Sequence, residues 1–152
     1  MAGKTAVFEN DLLKLIFHNL GISLIGDATG VPAAATAGSL YLSLHTSDPT
    51  DLAVVGQQSG ETTYPDYARI GLVRGVSTWY ITGNSVSPAA AVDCPTAYVS
   101  MGAATQTAGW VGIGTSATGQ GKLLYIGALT PNIIITSGVT PRLTTASAVT
   151  ES

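Results

Sequence analysis

The sequence predicts a mainly β protein: a jelly-roll-like antiparallel β-sandwich with one N-terminal α-helix. Three observations carry this. One stretch near the start repeats its apolar residues at helical spacing. Beyond residue 38 the apolar residues instead alternate, or cluster in short β-branched runs. Those runs recur about every 8–12 residues with turn-forming residues between them, the pattern of sandwiches and barrels. The predicted organisation is an N-terminal helical arm and linker over 1–38, followed by a β-sandwich domain over 39–152.

The helix is expected from about Val7 to Leu20. Phe8, Leu12, Ile16 and Leu20 recur at i+4 with Leu13 and Phe17 beside them, while Asn10, Lys14 and His18 form a polar row. Glu9 and Asp11 suit the positive N-terminal end, and Gly21 follows as a natural left-handed C′ residue. Residues 27–38 are an Ala/Thr/Gly/Pro linker without period. In 40–45, Leu40, Leu42 and Leu44 alternate with Tyr41, Ser43 and His45, and the Ser47, Asp48, Pro49 run ends that strand. The polar stretch 50–66 is long for a structureless loop, which points to a functional excursion. Further strands are expected over 68–73, 78–82, 85–87, 97–101, 110–114, 122–126, 133–136 and 142–149. Turns are expected at Gly83–Asn84, at Pro88 and Pro95, over 119–121, and at Pro131–Asn132, Ser137–Gly138 and Pro141.

Composition narrows the function. Of 152 residues, only 10% are charged, against about 25% in an ordinary soluble domain, and the net charge is −3. Mean hydropathy is +0.35. Eighteen glycines and twenty threonines stand where lysine and glutamate usually do. Six scattered basic residues give no counterion-release footprint for nucleic acid and no basic patch for a membrane surface. A hydrophobic content of 45% argues against disorder. The single cysteine, Cys94, precludes an internal disulfide framework or a four-cysteine zinc site and reads as a buried structural thiol. No secretory leader or 18-residue apolar run is expected. A surface this neutral suits burial against neighbours, because uncharged surface is easier to desolvate.

Catalytic options are few. Four basic and eight acidic residues lie at or before Asp93, but only two basic and one acidic after it. The C-terminal third therefore offers no acid/base pair of its own. Asp48, Asp51, Glu61 and Asp66 could ligate a hard cation, or supply the two carboxylates, about 5–10 Å apart, of a small β-sandwich glycan hydrolase. Their spacing matches no EF-hand pattern, and solvated loop acids are the simpler reading. His18 and His45 lack the spacing of a zinc pair and read as surface or interface histidines. The run from Gly112 through Gly114 to Ala117 satisfies a dinucleotide-binding pattern literally, and Gly121–Lys122 echoes a phosphate loop. The first lacks the helix and the later acid it needs, and the second has Ser116 in place of its first glycine and Leu123 in place of its hydroxyl, so no cofactor is expected.

The order of several segments resembles a family of tailed-phage virion structural proteins, labelled capsid decoration (cement) or tail fibre proteins. The resemblance runs through 9–17 (ENDLLKLIF), 40–49 (LYLSLHTSDP), 64–69 (YPDYAR), 83–87 (GNSVS), 111–119 (VGIGTSATG) and 123–129 (LLYIGAL). It implies a jelly-roll-like fold without cofactor or catalytic residues. The function it implies is a capsid decoration protein on the outer surface of the assembled head, made in the bacterial host cytoplasm and contacting the major capsid protein. A symmetric site favours a symmetric ligand, so self-association as a homotrimer is expected. The alternative is a tail fibre or baseplate structural protein. Candidate subunit or capsid interface residues are Phe8, Leu12, Leu13, Ile16, Phe17, Tyr64 and Tyr67.

Overall fold

The structure is a computed structural model that describes residues 3–51, 56–98 and 104–152. It is mainly β, with antiparallel sheets and one N-terminal helix, consistent with a β-sandwich. The elements are α1 (Ala6–Leu13), β1 (Ser39–His45), β2 (Ile70–Val73), β3 (Trp79–Thr82), β4 (Ser85–Pro88), β5 (Val92–Asp93), β6 (Gln106–Gly114), β7 (Leu123–Ile135), β8 (Arg142–Leu143) and β9 (Val149–Thr150). They form sheets ordered β2-β1-β6-β7, β3-β4-β9 and β5-β8. The chain divides into two compact units. The first gathers Met1–Ser39, Val73–Ala91 and Thr144–Ser152, and the second Leu40–Leu72 and Val92–Leu143. Residue 39 is thus one edge of the first unit, which also takes in the β3–β4 hairpin and the C-terminal segment.

In the first unit, the Thr5 hydroxyl caps α1 by accepting from the Phe8 N–H (3.4 Å). The helix continues as one wide π-helical turn, Lys14–His18. It ends two residues earlier than the sequence suggested: Asn19, not Gly21, takes the left-handed position (φ 56°). The Asn19 amide exchanges two hydrogen bonds with the Ala34 backbone (2.9 and 3.0 Å), pinning the linker to the helix end. Arg74 spreads its guanidinium over the carbonyls of Leu15, Ile16 and Ala37, placing positive charge at the negative helix end. The buried row is Glu9, Leu13 and Phe17, one position round from the predicted stripe. Phe17 fixes that rotation by packing edge-on against Trp79 at 4.8 Å. His18 adds a hydrogen bond from Nε2 to the Trp79 carbonyl (2.8 Å), so it is half-buried and engaged rather than a free surface histidine. Asn10 bonds the Gly83 carbonyl. Lys4 reaches the Glu151 carboxylate (3.1 Å), and Asn84 bonds its backbone carbonyl.

The second unit is built on the four-stranded sheet. Leu44, Ala108 and Ile135 from β1, β6 and β7 meet Tyr64, Cys94 and Ala97 in its core. Tyr67, Ile70, Val111, Leu129 and Ile133 pack around them. Cys94 is buried, as expected, and burial pushes its thiol up to about 11.

Two predicted strands, 122–126 and 133–136, prove to be one, β7. Pro131–Asn132 is not a turn but lies in an irregularity, where pairing jumps from Ala108↔Ile133 to Trp110↔Ala128 and leaves Gly109 facing the excess residues. The long strand predicted over 142–149 is instead two short ones, β8 and β9, in different sheets. Ala97 and Tyr98 of the predicted 97–101 strand are irregular, and the rest of that strand lies outside the described residues.

Candidate functional site

The richest concentration of chemistry lies in the second unit, on the β1 face that carries Tyr41, Ser43 and His45. Period 2 turns these three away from Leu40, Leu42 and Leu44. Across the ladder, Ser43 stands opposite Gly112 and Tyr41 opposite Gly114. Those glycines are structural. A Cβ on Gly112 would come within 2.8 Å of His45 Nε2, Ser43 Oγ and Leu123 Cδ1, and one on Gly114 would meet the Gln57 amide at 2.3 Å. The pattern that mimics a dinucleotide loop is therefore a cleared strip of strand on which polar side chains lie flat.

Gln57 occupies that strip and is wholly buried. Its amide donates to the Tyr41 carbonyl (2.8 Å) and accepts from the Ser116 N–H (3.1 Å), and its backbone N–H reaches the Gln120 carbonyl. His45, also wholly buried, lies beside it. Ser59 offers only a carbonyl to Nδ1 (2.8 Å), so Nδ1 carries the proton and donates. Nε2 is then the acceptor for the Ser43 hydroxyl (2.9 Å). Burial lowers the pKa of this imidazole from 6.5, while the Ser59 carbonyl and Glu61 pull it up.

Glu61 closes the cluster. Its carboxylate receives two bonds from Arg69, Nε and NH2 at 2.7 Å each, and one from the Tyr67 hydroxyl at 2.7 Å. Arg69 also donates to the carbonyls of Ser116 and Gly119, and the hydrogen bonds it gives to Glu61 raise its pKa. Tyr67 oxygen in turn accepts the Leu44 N–H (3.0 Å), and burial pushes its phenol well above the ordinary range. The Tyr67–Ala68–Arg69 segment is therefore a clamp that ties three pieces together: the polar excursion, the end of β1 and the glycine-rich turn after β6. Pro65 and Asp66 shape the turn that presents it. Asp66 sits at φ 68° with the Tyr67 N–H returning to the Tyr64 carbonyl, the left-handed third position of a type II turn.

Chemically, the Ser43–His45 contact has the spacing of a nucleophile and its base. The β6 backbone at Gly112 lies directly against both atoms, however, so the place a reacting carbonyl would occupy is filled by the sheet. Among the described residues, no three His, Cys, Asp or Glu side chains converge. Asp48 is engaged in its own turn, accepting from the Thr50 N–H and hydroxyl. Asp66 is exposed, and the Asp51 side chain lies outside the described residues. On the surface, Asp93 pairs with Arg142, which holds its carboxyl below the usual range.

The seven predicted interface residues divide. Leu13, Phe17 and Tyr64 are buried inside their own units, so their area is spent on the fold. Tyr67 spends its hydroxyl on Glu61 and Leu44. Phe8 is exposed, and Leu12 and Ile16 are half-buried. The exposed apolar side chains sequence reasoning missed lie mostly in the first unit: Val7, Leu24, Val73, Val76 and Tyr80 are each more than half exposed. No periodicity marks them, because they stand at turns, element ends and one edge strand.

A mainly β chain with its polar cluster closed on itself and apolar side chains left at its surface has the makings of a structural protein. The comparisons agree in class. A family model described as "Podophage GP4 fiber I protein gp80" matches residues 6–150, and the chain belongs to this family of phage virion structural proteins. No curated protein matches it.

Proposed function

We propose that the chain is a structural subunit of a phage fibre, held in the virion by contacts between proteins. The observation that carries this reading is the family match over residues 6–150, whose description names a fiber protein. The low charge and the exposed apolar residues of the first unit support it, since such a surface is readily desolvated against a neighbour. The reading assigns no catalytic step. The one nucleophile-like pair among the described residues, Ser43–His45, is buried under the 56–61 segment, and the Glu61–Arg69–Tyr67 clamp ties that segment down.

A second reading, capsid decoration, keeps one observation in its favour. The sequence has no coiled-coil heptad or β-helical repeat of the kind that builds a fibre shaft. The two part company when particles assembled without the chain are imaged. The fibre reading expects appendages to be lost and the shell to be unchanged. Regular density lost across the shell would overturn it in favour of decoration.

A further inference from the structure

We draw no further inference here: the strongest candidate, the outer edge of the uncharged strand β7 (Leu123–Ile135) in the four-stranded sheet, carries nothing, because among the described residues nothing in the structure shows what covers it.

Discussion

Replacing Glu61 by Gln keeps the shape of the side chain and removes its charge. In the native protein Arg69 has only 3% of its side chain exposed and Glu61 12%, and the carboxylate answers three donors at 2.7 Å. Glutamine has one acceptor oxygen, so at least one of the two Arg69 contacts or the Tyr67 contact is lost. The guanidinium is then left with the Ser116 and Gly119 carbonyls. Breaking a buried pair by removing one partner costs about 3–5 kcal/mol. The residual exposure of Glu61 places the expectation at the low end, about 3 kcal/mol. Arg69→Met should cost at least as much, because it also frees two carbonyls. The double variant should cost less than the sum of the two, by about 2 kcal/mol. Urea unfolding followed by circular dichroism measures all three. A loss below about 1 kcal/mol for Glu61→Gln, or additivity within about 0.5 kcal/mol, would refute the view that this clamp holds the second unit together.

Other consequences are independent of that pair. Gly114→Ala drives a methyl into Gln57 and should cost about 1–3 kcal/mol, whereas Gly127→Ala, with open space and an ordinary φ, should be near neutral in the same assay. His45 has a folded pKa below its unfolded value of 6.5, so the unfolded chain binds the extra proton. Its contribution is therefore full above about pH 6.5 and lost as pH falls toward the folded pKa; His45→Gln should flatten that part of a stability-versus-pH curve. In α1, Leu13→Ala should cost about 2–5 kcal/mol and Phe17→Ala about 3–5, while Phe8→Ala should cost well under 1, which a thermal melt would resolve. If Phe8 proved the more sensitive, the buried row would be the one the i+4 spacing suggests.

The class of fold was legible because period is a local signal. Leu40, Leu42 and Leu44 alternate, and they do line the inner side of β1. The helix was legible too, but not its rotation. Leu12 and Leu13, or Ile16 and Phe17, are equally apolar neighbours, and only the contact of Phe17 with Trp79 decides which row turns inward. The sequence reads as two strands where β7 runs, because Pro131–Asn132 is good turn chemistry. The continuity of β7 depends on pairing with β6, a non-local fact. The candidate site was the least legible part. Gln57 is a polar residue in a polar loop, and its burial follows from Gly114 and Gly121, more than fifty residues away, which leave it room. The Tyr67–Ala68–Arg69 segment could be picked out as a motif, but its role required Glu61, six and eight residues earlier, to fold back beside it. His45, without the spacing of a zinc pair, reads from sequence as a surface or interface residue, because nothing local to β1 shows what covers it. The excursion over 56–61 covers it.

We propose that this chain works as a fibre subunit of the virion. Counting its copies in purified particles by quantitative mass spectrometry, against a tail protein of known copy number, tests that most directly. A fibre subunit should be present in a fixed number, from a few to a few dozen per particle. Hundreds of copies, in step with the major shell protein, would contradict it and place the chain on the capsid.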